Sequence, residues 1–210
     1  MFFQKNRKKN GTQTRTVYFH EDDYCQIEIL PVENLGFCLE QAGLIDDFSE
    51  AHWDKYGYTD IYMRSDNPVS LFDLKISDKA LEETLAAILP RFDEVFTGYS
   101  TYREKCEDTC AYGHDEHVVV YFKANDGYVK NIWLTLSISN EADAERALEL
   151  MDSLSGIGDL IIADWNWSFI EKLSEKSQIR NYLWTHGNLL QTGDSQAQGA
   201  QDELHASHDH

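Results

Sequence analysis

HVVVYFKANDGYVKNIWLTLSI, residues 117–138, decides the fold. Two strongly β-prone runs flank Asn125-Asp126-Gly127, a turn sequence that suits a tight hairpin because Gly, Asn and Asp tolerate positive φ. The first run, Val118 to Phe122, is apolar on both faces, which predicts a strand lying centrally in a sheet covered by helices. Asn140 follows as an N-cap for EADAERALELMDSLS, where Ala144, Ala147, Leu148, Met151 and Leu154 fall on one helical face.

Upstream, TRTVYFHEDDYCQIEIL (residues 14–30) reads as two strands around a turn at Glu21-Asp22-Asp23. Pro31 ends the second strand, and a helix with Val32, Leu35, Leu39 and Ala42 inward is expected to stop at Gly43. Phe48 and Trp53 fit a short helical turn. YTDIYMR (residues 58–64) alternates as a strand, with Tyr58, Asp60, Tyr62 and Arg64 on one face and Ile61 and Met63 on the other, closed by SDNP. Ser77 caps a helix ended by Pro90, and FDEVFTGY (residues 92–99) is extended. Thr101 and Glu104 have capping-box spacing, which predicts a helix from about Tyr102 to Ala111, with Gly113 beyond it. Downstream, GIGDLIIADW (residues 156–165) is a strand and WSFIEKLSEKSQIRNYLW (residues 167–184) a final helix. Hairpins mixed with helices predict a single α+β domain, residues 16–184, with a mixed or mainly antiparallel sheet and helices packed on it.

Charge is distributed unevenly. Five of the 18 basic residues lie in the first fifteen positions and four of the 37 acidic ones after Thr185, which leaves 13 basic against 33 acidic, a balance of −20, in positions 16–184. Residues 1–15 are expected to form a basic disordered arm and residues 185–210 a disordered tail. Acidity over the body argues against nucleic acid and anionic membrane as partners and favours a basic protein. The N-terminus lacks the apolar stretch of a secretory signal, and four cysteines are too few for a disulfide scaffold in a chain of this length. Both features predict a cytoplasmic protein with reduced thiols.

Signatures of phosphate-binding loops, dinucleotide folds, nucleophile elbows and zinc peptidases are missing. No catalytic residue and no cofactor is expected. CEDTCAYGHDEH (residues 106–117) offers two Cys and two His, but only three residues separate the pairs, whereas a zinc finger folds back over about a dozen. Cys106 and Cys110 instead fit, with Tyr102, one stripe of the expected helix, and no metal site is assigned. Aromatic and acidic side chains gather in two places: Asp54, Tyr58, Asp60 and Tyr62, with Tyr56, and the ADWNWSF run with Asp164, Trp165 and Trp167. Trp165 and Trp167 share a side if that segment stays extended. Tyr99, Tyr102 and Tyr112 make a further aromatic group. Tyr buries area while carboxylates pair with Lys or Arg, so such surfaces suit a basic partner.

In size, acidity, compact α+β pattern and aromatic–acidic runs such as YGYTDIYMRSDNP and ADWNWSF, residues 16–184 resemble the small acidic immunity proteins of bacterial toxin–immunity systems. That resemblance implies a cytoplasmic protein that binds and blocks a basic toxin, and carries no residue roles with it. Two other classes stay open: an enzyme with a dispersed carboxylate and Tyr site, and a regulatory or structural subunit acting through an apolar face.

Overall fold

A computed structural model describes residues 14–187. The fold is α+β, built on a six-stranded antiparallel sheet. Its strands are β2 (Ile27–Pro31), β7 (Thr109–Tyr112), β8 (Val118–Asn125), β9 (Tyr128–Leu136), β10 (Leu160–Asp164) and β11 (Phe169–Lys172), in the order β11-β10-β2-β9-β8-β7. The β8–β9 hairpin turns at Asp126 (φ 50°) and Gly127 (φ 80°). Two successive positive φ values give the turn whose twist matches that of the strands it joins.

Side-chain alternation sorts the sheet into two faces. Ile27, Ile29, Ile132, Leu134, Val120, Phe122, Leu160 and Ile162 point to the first. That face is covered by α2 (Asp78–Ala86), α3 (Glu141–Ser155) and α4 (Lys176–His186) through Leu81, Leu85, Ala147, Leu150, Leu154, Ile179 and Leu183. The second face is covered in two pieces. At one end α1 (Leu35–Ala51) places Cys38 and Ala42 on Leu30, Ile161, Ala163, Trp165 and Ile170. At the other, a small sheet of β1 (Thr16–His20), β5 (Glu94–Gly98) and β6 (Glu104–Lys105) lays Val17, Phe19 and Val95 on Val119, Tyr121 and Trp133.

Several segments differ from the sequence reading. β1 and β2 are both present, but they do not pair. The 3₁₀ turn Glu21–Asp23 and the left-handed Cys25 carry the chain out of plane, and β1 runs parallel to β5 in the other sheet. No helix forms over 102–111. Gly98 and Ser100 take positive φ, Tyr102 spends its hydroxyl on Glu104, and Thr109–Tyr112 pairs with β8 as the edge strand β7. Pairing with an apolar strand overrides a weak capping signal. Cys106 therefore packs toward the small sheet and Cys110 toward the first face, not along one stripe. α1 runs through Gly43 to Ala51 and takes in Phe48. Trp53–Asp54 (β3) and Gly57–Tyr58 (β4) form a two-residue-per-strand hairpin, and residues 61–67 have no regular structure where a strand was expected. Phe169–Lys172 is a strand because it continues the sheet beside β10, so the last helix starts only at Lys176.

The expected arm and tail lie outside the described residues except at their inner ends. Arg15 is fixed: its guanidinium donates to the carbonyls of Arg91 (2.8 Å), Gly113 (2.7 Å) and His114 (3.1 Å) and lies over the Phe92 ring. Thr185 and His186 belong to α4. No helix among the described residues is long and apolar enough to cross a membrane, and no three of their His, Cys, Asp or Glu side chains gather as metal ligands would.

Candidate functional site: an aromatic cleft over a buried carboxylate

Glu28 occupies the middle of β2, an otherwise apolar strand, and is only 5% exposed. Its register neighbours are Ala163 of β10 and Trp133 of β9. One belongs to the cluster under α1 and the other to the cluster under the small sheet. Glu28 thus stands at the seam where the two coverings of the second face meet. A carboxylate there must be hydrogen-bonded or paired. Trp165 Nε1 donates to its Oε1 at 2.8 Å, and Arg64 Nη1 donates to the same oxygen at 3.1 Å. The Arg64 guanidinium lies 3.9 Å from the centroid of the Trp165 ring, a cation–π geometry.

Arg64 reaches the seam on a strap, residues 59–70, that runs from the β3–β4 hairpin across the sheet. At its start, Asp54 holds the hairpin turn by accepting from the backbone N–H of Tyr56 (2.7 Å) and Gly57 (3.1 Å). At its end, buried Asn34 clamps Val69, donating to its carbonyl at 2.7 Å and accepting from its N–H at 3.0 Å. Between these points the Tyr62 hydroxyl donates to Gln41 of α1 at 3.3 Å. Tyr62 and Arg64 face inward while Ile61 and Met63 are 80% and 83% exposed. The alternation expected of a strand is therefore present without a strand ladder.

Strap, α1 and the turn after β10 enclose a cleft of about 530 Å³. Its walls include Ile45, Phe48, Tyr58, Ile61, Tyr62, Arg64 and Trp165, and its rim carries Asp46 and Asp60. Asp46 also accepts from the Ser168 hydroxyl at 2.6 Å, tying α1 to the turn beyond β10. Residues 46–66 contain six acids and two basic residues. Burial raises the Glu28 carboxyl above its ordinary range, opposed by the Arg64 charge and by the two hydrogen bonds. Burial, reinforced by the Glu28 charge, pushes the Cys25 thiol up to about 12 and the Cys38 thiol to about 11.

Four of the seven expected partner-binding residues, Tyr58, Asp60, Tyr62 and Trp165, come together in this cleft from segments a hundred residues apart. The other three do not. Asp54 is spent on the hairpin turn. Asp164 is fully buried on the opposite face, where the Tyr182 hydroxyl donates to it at 2.6 Å. Trp167 stacks on His186, 52% exposed, because β10 ends at Asp164 and a turn with Ser168 at positive φ swings it away from Trp165, which is 6% exposed. The Tyr99, Tyr102 and Tyr112 group is divided as well, with Tyr112 in the core. Glu28 escapes sequence reasoning, because IEIL reads equally well as an alternating strand with Glu28 in water. The available signal is that the same four residues also fit a fully buried strand.

Comparison with protein-family models, with curated proteins and with solved structures finds no match for this chain.

Proposed function

We propose that this chain is an acidic binding protein whose strap and cleft hold a basic protein partner, in the manner of an immunity protein that captures and neutralises a toxin. The observation that supports this is the convergence of Tyr58, Asp60, Tyr62 and Trp165 on one open cleft. Beside it the strap and hairpin expose Trp53, Tyr56, Ile61 and Met63. Aromatic side chains supply buried area at low entropy cost, and the acids of residues 46–66 steer and orient a cationic surface. Exposed apolar side chains clustered on one segment mark an interaction surface more often than isolated ones do.

The test starts by capturing the partner on the immobilised full chain and purifying it. Association of the purified pair should slow as salt shortens the Debye length from about 10 Å to about 3 Å. Reversing Asp46 and Asp60 to Lys together should slow association on the order of tenfold at low salt and flatten that dependence. An unchanged rate in the double variant would remove the cleft from the interface.

A further inference from the structure

The seam beneath the strap has the parts of a guanidinium-binding site. Its carboxylate is buried and pre-oriented by the Trp165 indole N–H, and the Trp165 ring face lies beside it, ready to stack on a cation. It is already occupied by a guanidinium, that of Arg64, from the same chain. We infer that the Glu28–Trp165 slot is a recognition site for an arginine side chain of the basic partner, and that Arg64 fills it as an internal stand-in which the partner's arginine displaces. This rests on the reading of the cleft as a partner-binding surface.

Three features favour exchange over a permanent structural pair. First, Arg64 engages Glu28 through a single nitrogen, Nη1, and both described donors crowd the one oxygen, Oε1. An incoming guanidinium able to take the carboxylate with two parallel N–H groups makes the stronger contact. Second, the segment that carries Arg64 belongs to no sheet ladder, so its departure breaks no strand pairing. Its inner half is held to the body by Arg64, by Tyr62 and Ser65 on Gln41, and by the Asn34 clamp at Val69, which can serve as the fixed end. Third, Arg64 and Trp165, the two side chains that contact Glu28, line the cleft, and its carboxylates Asp46 and Asp60 favour the approach of a cationic side chain to them. Ile61 and Met63, already in solvent, are then free to cover the entering segment. Displacement leaves Arg64 in water and exchanges one charge pair for another, so the buried carboxylate is never left alone.

Calorimetric titration of the full chain with N-acetyl-arginine amide, and separately with its lysine counterpart, tests the slot. If Arg64 fills it about nine-tenths of the time, removing that competitor tightens arginine binding about tenfold. Arg64→Ala should therefore bind the arginine amide about tenfold more tightly than the unaltered chain, and the lysine amide markedly less well. Glu28→Gln added to Arg64→Ala should abolish the gain. Arg64→Lys, which keeps the charge and the fold, should show an intermediate gain. Equal binding by Arg64→Ala, Arg64→Lys and the unaltered chain, or equal affinity for the two amides, would overturn the proposal. The outcome is separable from that of the salt experiment. Arginine selectivity without any effect of the Asp46 and Asp60 reversals keeps the slot and discards the partner reading. The opposite pattern discards the slot.

Discussion

At the scale of single residues, Glu28 carries the most consequence. Relative to the unfolded chain, folding raises the pKa of its carboxyl, because burial outweighs the Arg64 and Trp165 contacts. A group whose native pKa is raised adds stability that is complete below the ordinary value of 4.5 and is lost as pH climbs through the native value. The unfolding free energy of the unaltered protein, measured against Glu28→Gln, should thus rise as pH is lowered toward 4.5 and fall as it is raised. Chemical denaturation across that range checks the sign. The Tyr182 hydroxyl is pushed well above its ordinary range by burial and then by the Asp164 charge, and it stays a donor. Tyr182→Phe should destabilise by about 1–3 kcal/mol, since a buried carboxylate oxygen loses its partner, while leaving partner binding unchanged. Much of the cleft was legible at this scale, because Tyr58, Asp60, Tyr62 and Trp165 are conspicuous side-chain types in conspicuous runs. What sequence could not supply was direction. Asp164 and Trp165 are neighbours on one strand end, yet pleating sends one to the α4 face and the other to the cleft.

At the scale of elements, two glycines predict opposite outcomes. Gly43 lies exposed inside α1, and a Cβ there would meet nothing within 4 Å. Gly43→Ala should raise stability by about 0.5–1 kcal/mol, because alanine loses less backbone freedom in a helix. Gly98 closes β5 at φ 154°, where a Cβ would stand 2.0 Å from the Tyr102 carbonyl oxygen. Gly98→Ala must shift backbone and should cost about 2–3 kcal/mol; thermal unfolding of both variants decides. The same contrast explains which elements the sequence disclosed. α2 and α3 begin at Ser77 and Asn140, whose side chains accept from N–H groups of the first turn, so their starts are written locally. α1 passes through its expected C-cap because the residues after Gly43 still form a helix, and β7 exists because β8 needs a neighbour. Those outcomes depend on what lies across the sheet, which a local pattern does not contain.

At the scale of the whole molecule, the sheet has one face under a continuous helical layer and one under two separate coverings. The α+β class was legible, since the β8–β9 hairpin and the helical stripes specify it. The division of the second face was not, because β1 pairs with β5 across a sequence separation of more than seventy residues. All four thiols are free and all are raised in pKa, with burial the leading cause. At neutral pH they are therefore held as thiols rather than thiolates. Alkylation should be slow at all four in the native protein and fast at all four in denaturant, as counted by mass spectrometry. One fast-reacting cysteine in the native state would show that its covering opens.

The two coverings differ in one further respect. Trp133 lies nearly parallel to Tyr121 at 5.3 Å, with Phe19 and Tyr24 against it edge-on, whereas Trp165 lies under a guanidinium and beside a carboxylate. Coupled transitions in the first group give near-ultraviolet circular dichroism that belongs to the small-sheet side. The charges around the second indole tune its emission, which therefore responds to the α1 side. Difference spectra of Trp133→Phe and Trp165→Phe separate these two indoles from the other three tryptophans and give each half of the divided face its own optical reporter.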